Sequence, residues 1–197
     1  MNMLSLITFI PLVGAVVVLC LPKERLRAIQ TVALMAVSVS FLLSAALFFL
    51  FDRATPAMQF VERLDWIPSM NVSYFLGVDG LSYPLVVLTT FMTLIALIGS
   101  LGIKERVKEY FFWFLLLEVG MLGVFAALDL VLFYVFWELC LVPMYFLIGI
   151  WGGPKKEYAA IKFFLYTLAG SVFMLLAILA VYFNSTPHTF AMIALMK

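Results

Sequence analysis

The chain has 197 residues, 66% of them hydrophobic and 12% charged, with a formal net charge of +1. Because soluble domains average about 45–50% apolar and about 25% charged residues, this composition indicates an integral membrane protein, and the near-zero charge gives no indication of nucleic-acid binding. One histidine and two cysteines are too few to hold a haem, an iron–sulfur cluster or a zinc ion without residues from another chain.

Six apolar stretches are predicted to cross the bilayer as helices, since about 20 residues at 1.5 Å each span its core of about 30 Å. In chain order they are residues 3–21, 29–51, 81–103, 110–128, 130–150 and 158–183. The first has no basic segment before it and no small-residue cleavage site after it, which predicts a retained helix rather than a signal peptide. The predicted class is therefore an all-α, polytopic membrane helix bundle.

One long polar stretch, residues 52–80, separates the second span from the third. Within it, Val72, Tyr74 and Leu76 alternate with their neighbours, a spacing that predicts a short strand. Asp79 and Ser82 are both candidate N-caps for the third span, because each side chain can accept a hydrogen bond from a free N–H of the first turn.

Basic residues predict the orientation in the membrane. Those at the loops after the first, third and fifth spans are Lys23, Arg25, Arg27, Lys104, Arg106, Lys108, Lys155 and Lys156. The loops after the second and fourth spans hold only Arg53 and Arg63. By the positive-inside rule, the basic loops lie in the cytoplasm, and the N-terminus lies outside together with residues 52–80.

Residues 110–151 form an apolar run that is interrupted only by Glu118, Asp129 and Glu138. A single helix of this run would be about 63 Å long, twice the thickness of the bilayer core. The run is therefore predicted to fold as a helical hairpin. Asp129 is the predicted turn, since a charge costs least at the membrane interface.

Glu138 is the first candidate for a functional residue. A charge in the middle of a span costs about 2.5–3.5 kcal/mol on insertion scales, so such a residue points to function. Pro143, five residues later, has no N–H to give to the carbonyl of Leu139. Tyr134 and Tyr145 share the helical face of Glu138, where they either extend a polar line or simply pack the bundle.

Glu118 is the second candidate. It lies about 16 Å, and Glu138 about 13 Å, below the predicted turn at Asp129. If the two carboxyls face one another, desolvation and like-charge repulsion raise the proton affinity of at least one of them, as a proton carrier requires. The alternative is a protonated Glu118 that is hydrogen-bonded to a neighbouring helix or that faces another subunit.

Lys162 is the third candidate, about one turn inside the sixth span on the predicted cytoplasmic side. Its long side chain either reaches back to the interface or provides an electrostatic partner at the mouth of a half-channel.

Packing roles are predicted for the remaining small residues. Gly99, Gly102, Gly120 and Gly123 permit close helix approach, Thr167 and Ser171 can hydrogen-bond across an interface, and Cys20 and Cys140 are free thiols at different depths.

Three segments, in the right order, resemble one known family. Residues 132–153 (LFYVFWELCLVPMYFLIGIWGG) resemble the fifth helix of the M-type (chain 4) antiporter-like subunit of NADH:quinone oxidoreductase, respiratory complex I. Residues 158–167 (YAAIKFFLYT) resemble its sixth helix, and residues 66–68 (WIP) with 74–82 (YFLGVDGLS) resemble the segment before its third helix. Mrp-type cation/proton antiporter and membrane hydrogenase subunits share the helix that carries the glutamate.

The resemblance implies proton translocation without redox chemistry in this chain. Glu138 matches the family's helix-five glutamate, whose charge partner is a lysine on a broken helix seven, and quinone reduction elsewhere in the complex shifts that pair so that a proton crosses. NADH, flavin, iron–sulfur clusters and quinone are expected in other subunits. The expected partners are other membrane subunits, the lipid bilayer and protons, and the expected location is the bacterial plasma membrane.

The resemblance also divides the chain. Residues 1–109 correspond to three N-terminal helices with an external segment at 52–80, and residues 110–197 to the first three helices of an inverted repeat plus the start of a loop. The sequence ends before the helix-seven lysine and is therefore interpreted as a fragment or a truncated gene product. Glu118 lies outside the family motif, so its role rests on the depth argument alone.

Other functions remain open at this point. The alternatives are a structural membrane fragment without transport of its own, and a subunit of a related cation/proton antiporter or membrane hydrogenase. The sequence has no nucleophile with a matching base and no cofactor or metal motif. Any enzymatic activity is therefore expected to belong to a complex rather than to this chain.

Overall fold

Six long helices dominate the computed structural model, which describes residues 2–196. They are α1 (Met3–Cys20), α2 (Leu26–Ala46), α3 (Ser82–Gly99), α4 (Val107–Ala126), α5 (Leu130–Trp151) and α6 (Lys156–Asn184), followed by a short α7 (Met192–Leu195). All six are long and apolar enough to cross a membrane, which confirms the six predicted spans and the polytopic helix bundle.

The two ends of the bundle differ in the loops that they carry. The connections from α2 to α3 and from α4 to α5 lie at one end, here called the hairpin end because it also holds the two β-strands. The connections from α1 to α2, α3 to α4 and α5 to α6 lie at the other, here called the basic end because the predicted basic loops are there. Which end faces the cytoplasm stays a prediction.

The structure also contains a β-hairpin between α2 and α3, which the predicted all-α class did not include. Strand β1 (Gln59–Ile67) pairs antiparallel with β2 (Val72–Val78), which contains the predicted strand. The sequence analysis missed β1, whose charged residues largely occupy exposed positions. Its buried Glu62 accepts hydrogen bonds from the N–H of Leu4 at 2.7 Å and of Ser5 at 3.2 Å, so the hairpin caps the positive end of α1.

Helix α4 is the centre of the bundle. It packs against α1, α2 and α3 on one side and against α5 on the other, whereas α6 packs mainly against α5. Two apolar clusters fill the space between α1 and α4, one around Leu122 at the hairpin end and one around Leu115 towards the basic end. The first four helices therefore form an enclosed bundle, and α5 and α6 extend from one side of it.

Asp129 confirms the predicted turn between α4 and α5, but its carboxylate is fully buried rather than solvated at an interface. Its oxygens accept hydrogen bonds from the N–H groups of Val131 at 2.9 Å, Leu132 at 3.3 Å and Ser73 at 3.1 Å. Burial of a charge is tolerated where several donors compensate for the lost water. Asp129 thus caps α5 and ties it to β2.

The predicted packing roles are partly confirmed. Gly120 and Gly123 lie where α4 contacts α5, whereas a Cβ at Gly99 or Gly102 would meet nothing within 4 Å, so close approach at these two was a wrong prediction. Cys20 and Cys140 are free thiols. The hydroxyls of Thr167 and Ser171 both donate to carbonyls of their own helix, and Ser171 also lies within interaction range of Tyr134 across the contact of α5 with α6.

We expect Asp129→Ala to destabilise the fold by about 0.5–2 kcal/mol through the lost cap alone, because Val131 and Leu132 then lack an acceptor. Asp129→Asn keeps one acceptor oxygen at nearly the same position and should cost much less. Thermal unfolding of the purified protein compares the two variants. Equal stability of Asp129→Ala and Asp129→Asn would contradict the cap.

Candidate functional site

Glu138 lies on the face of α5 that runs alongside α6. The alignment of these antiparallel helices follows from two contacts: a Cβ at Gly149 would lie 3.3 Å from the Cβ of Ala160, and the rings of Tyr145 and Phe164 are 5.5 Å apart. Because the helices are antiparallel, a step of one residue towards the start of α5 corresponds to a step of one residue towards the end of α6. This alignment places Glu138 level with Ser171.

A small polar group surrounds Glu138 and is here called the Glu138 site: Glu138, Tyr134 and Ser171. The Tyr134 hydroxyl lies within interaction range of both the Glu138 carboxylate and the Ser171 hydroxyl. Ser171 is buried, and Glu138 is half-buried. One carboxylate oxygen of Glu138, Oε1, is enclosed and has no hydrogen-bond partner among residues 2–196. An enclosed, unpaired carboxylate oxygen is stabilised by a proton or by a cation brought to it.

Pro143 is buried within α5, and the helix continues through it to Trp151. A proline has no N–H, so it provides no helical hydrogen bond for the carbonyl of Leu139, next to Glu138. Tyr145, two residues later, packs its ring edge-on against Phe164 of α6. Of the two tyrosines predicted on the Glu138 face, Tyr134 therefore lies at the carboxylate and Tyr145 lies in an aromatic contact.

The contact between α4 and α5 is built on two glycines and is here called the glycine seam: Gly120 and Gly123 of α4 against Phe136 and Cys140 of α5. A Cβ at Gly120 would lie 2.6 Å from the Cys140 sulfur, and a Cβ at Gly123 would overlap the Phe136 ring. Any side chain at these two positions would push the helices apart. The backbones of α4 and α5 are therefore in close contact along this line.

The glycine seam keeps Glu118 and Glu138 apart. Successive residues of a helix are about 100° apart, so Glu118 points about 200° away from Gly120, and Glu138 points about 200° away from both Phe136 and Cys140. Both carboxyls therefore face away from the seam, on opposite sides of the helix pair. The sequence left open whether they face one another, because residue depth alone does not give the rotation of each helix; in this geometry they do not.

Lys162 is not close to either glutamate. It lies six residues after the start of α6, and the α5–α6 alignment puts it nine residues, or about 14 Å along the axis, from the level of Glu138. Its ammonium lies 5.9 Å from the ring centroid of Tyr158. Lys162, Tyr158 and Tyr166 are all exposed, so they mark a face of α6 that no described residue covers.

The sequence analysis missed the partnership of Ser171 with Tyr134, because it depends on the alignment of α5 with α6. The small residues Gly149 and Ala160, which allow α5 and α6 to approach closely, are the sequence signal that could have revealed this alignment. Within residues 2–196, no group of three or more His, Cys, Asp or Glu side chains is placed to hold a metal ion.

Comparison with known proteins places this geometry in a family. Residues 3–126 match the family model of the NADH-ubiquinone oxidoreductase chain 4 amino terminus, and residues 127–197 match that of the NADH:quinone oxidoreductase/Mrp antiporter transmembrane region. The chain belongs to the NADH-ubiquinone oxidoreductase chain 4 family. The resemblance noted in the sequence is thereby confirmed.

The relatives are longer than this chain. NADH-quinone oxidoreductase subunit M of Rhodobacter capsulatus is 50% identical over 185 residues, which are 92% of this chain and 36% of that protein. NADH-ubiquinone oxidoreductase chain 4 of Arabidopsis thaliana is 45% identical over 184 residues, 92% of this chain and 37% of that protein. The chain thus spans little more than a third of the length of these relatives.

Solved structures agree with this assignment. A chain of respiratory complex I from Thermus thermophilus with bound NADH superimposes with a TM-score of 0.83 at 29% identity, over 98% of this chain and 38% of that one. A chain of the Mrp complex from Dietzia sp. DQ12-45-1b superimposes with a TM-score of 0.73 at 22% identity, over 95% of this chain and 20% of that one. The second likeness shows a common fold alone.

We expect Gly123→Ala to lower stability by about 1–3 kcal/mol, because its methyl group would overlap Phe136 in the glycine seam. Gly99→Ala is the matched control, since its methyl group enters open space and a residue other than glycine favours the helix. Thermal unfolding of the purified protein measures both. A Gly123→Ala variant as stable as Gly99→Ala would show that the seam is not tightly packed.

Proposed function

We propose that this chain forms the N-terminal membrane part of a proton-translocating subunit of an NADH:quinone oxidoreductase. Family membership over nearly the whole length supports this assignment. The single observation that carries the mechanism is Glu138, a carboxyl within a membrane helix whose Oε1 is enclosed and unpaired among the described residues. A group in this situation takes up and releases a proton when the charge near it changes.

The Glu138 site supplies the proton-transfer step in this proposal. Glu138 accepts the proton, and the Tyr134 hydroxyl, which lies within range of both Glu138 and Ser171, exchanges hydrogen bonds with them as the charge of Glu138 changes. Pro143 supports the site by leaving a helix carbonyl beside the carboxyl without its usual donor. Tyr145 supports it by fixing the spacing of α5 and α6 at Phe164.

Lys162 takes a more distant role. Its exposed ammonium lies towards the basic end of α6, about 14 Å along the axis from the level of Glu138, so it attracts or repels charge at the entrance to the path and does not pair directly with the carboxyl. Glu118 contributes from the opposite side of the glycine seam, within the bundle of α1 to α4. The three proposed proton-transfer groups therefore act at separate positions.

The proposed setting is a multisubunit complex in a bacterial plasma membrane. Other membrane subunits surround this one, while NADH, flavin, iron–sulfur clusters and quinone are bound elsewhere in the complex. The hairpin end and the N-terminus face outwards, and the basic loops face the cytoplasm. Residues 1–109 supply the first three helices with the external segment, and residues 110–197 begin the repeat that contains Glu138.

The family model that matches residues 127–197 includes Mrp antiporters, which favours a second candidate, a subunit of a cation/proton antiporter. The much higher identity to subunit M favours the oxidoreductase. Proton movement that depends on NADH oxidation, and not on a sodium gradient, would distinguish the two.

We expect Glu138→Gln, in the complete subunit within its assembled complex, to reduce proton pumping per electron by about tenfold or more, because the amide cannot carry the proton. Proton uptake during NADH oxidation in sealed vesicles is the measurement. The matched control, Glu24→Gln in the exposed loop at the basic end, should pump normally. Unchanged pumping in Glu138→Gln would contradict the proposal.

Tyr134→Phe removes only the hydroxyl that lies near Glu138. We expect a slower pumping rate with an altered pH profile, because the carboxyl loses a neighbouring hydrogen-bonding group. Tyr145→Phe is the matched control, since the Tyr145 ring packs against Phe164 and its hydroxyl is not needed there. Equal pH profiles for the two variants would exclude a role of the Tyr134 hydroxyl.

A further inference from the structure

Glu118 faces α1 and the interior of the four-helix bundle. A Cβ at Gly14 of α1 would lie 3.6 Å from the Leu115 side chain of α4, and the ammonium of Lys108 donates to the carbonyl of Leu21 at 2.8 Å. Both contacts give the same antiparallel alignment of α1 and α4. Because Glu118 follows Leu115 by three residues, it lies on the same face and level with Pro11.

The carboxyl of Glu118 is completely enclosed. Its side chain is 0% exposed, and neither Oε1 nor Oε2 has a hydrogen-bond partner among residues 2–196. Glu62 and Asp129, the other buried acids, both accept hydrogen bonds from several main-chain N–H groups. Glu118 is thus the buried acid whose position no capping role explains.

Hydroxyl groups lie near the level of Glu118 on the other three helices of the bundle. They are the fully or almost fully buried Thr8, Ser40, Ser44, Thr90 and Thr93. The hydrogen bond of 2.8 Å between Ser100 and Tyr110 aligns α3 with α4 and puts Glu118 between the levels of Thr90 and Thr93. Thr8 is three residues from Pro11, or about 4.5 Å along α1.

The same hydroxyls align α2. Ser40 donates to the carbonyl of Ile7 at 2.8 Å, and the hydroxyls of Ser44 and Thr90 are 2.8 Å apart. Ser40 is therefore level with Ile7, four residues or about 6 Å from Pro11 towards the hairpin end, and Ser44 lies further in the same direction. The Tyr83 hydroxyl, nearer the hairpin end, donates to the Ser44 carbonyl at 2.9 Å. Polar groups thus extend from the level of Glu118 towards the hairpin end.

Among residues 2–196, no positively charged side chain lies near this carboxyl. Helices α1 and α3 contain no charged side chain, α2 contains only Arg27 near the basic end, and Tyr83 is the inward-facing titratable group of α3. On α4 itself, Lys108, Glu109 and Tyr110 lie at the basic end. On α5, Cys140 lies in the glycine seam itself and Glu138 lies beyond it. A lone buried carboxylate is far more costly than a neutral acid, so a proton is the ligand that suits this position.

We propose that Glu118 is a second proton-binding site, enclosed by α1 to α4, separate from the Glu138 site and connected towards the hairpin end by Thr90, Ser44 and Tyr83. The inference extends the proposed function, because a second protonatable group gives the subunit a proton store on the other side of α4. The binding step is simple: the carboxylate takes a proton to become a carboxylic acid, and releases the same proton.

Infrared difference spectroscopy of the complete, assembled complex tests this site, because a protonated carboxyl has its own C=O stretching band, which shifts in D₂O. Glu118→Gln is the variant, since the amide has the shape of the neutral acid and should fold normally. We expect the wild type to show a band that Glu118→Gln lacks, and the band to change during NADH oxidation. Glu109→Gln, at the basic end of α4, is the matched control and should keep the band.

Three results would overturn the inference: a wild type without the band, a band that does not change during turnover, or a band that responds to sodium ions at fixed pH, which would indicate a cation site. The pumping assay of Glu138→Gln tests the proposed function, and the infrared band of Glu118 tests this inference independently. If Glu138→Gln pumps normally, the assignment of Glu138 fails, while the band of Glu118 still reports whether this site binds a proton.

Discussion

The close contact of α4 with α5 is the constraint on which the rest of the structure depends. Gly120 and Gly123 leave no side chain between the helices, so Phe136 and Cys140 fit directly against the α4 backbone. The buried carboxylate of Asp129 fixes the turn that joins them. Because the seam is apolar and tightly packed, Glu118 and Glu138 must lie on helix faces that point away from it.

Two polar regions follow from this arrangement. Glu118 lies among the hydroxyls of an enclosed bundle, whereas Glu138 lies at the interface of α5 with α6, beside Tyr134. Among the described residues, the region around Glu118 is enclosed by helices, whereas the face of α6 that points away from α5 is largely exposed. A subunit that moves protons gains from such separation, because two sites with no direct contact change charge independently.

The sequence predicted those features that depend on local patterns. Apolar run length gave the six spans, the interrupting Asp129 gave the hairpin, and alternation gave part of β2. It did not predict the burial of Asp129, because the donor from Ser73 comes from a strand far away in the chain. The signal of β1 was hidden by its charged residues, which lie mostly at exposed positions.

The sequence predicted which residues belong to the candidate site better than it predicted how they are arranged in space. Glu138 and Tyr134 were found from charge and helical spacing, and the structure places them together. Whether Glu118 faces Glu138 could not be predicted, because depth is set by residue count, whereas direction is set by the rotation of each packed helix. The proximity of Ser171 to Tyr134 could not be predicted, because it depends on the alignment of α5 with α6.

The central claim is that the glycine seam separates two independent carboxyls. Its most direct test is the frequency and pH midpoint of the Glu118 carboxylic-acid band in Glu138→Gln, compared with the wild type in the same assembled complex. Independent sites predict an unchanged band, since neutralising Glu138 removes no interaction with Glu118. A shift in either quantity would show that the two carboxyls titrate as a coupled pair and would contradict the account.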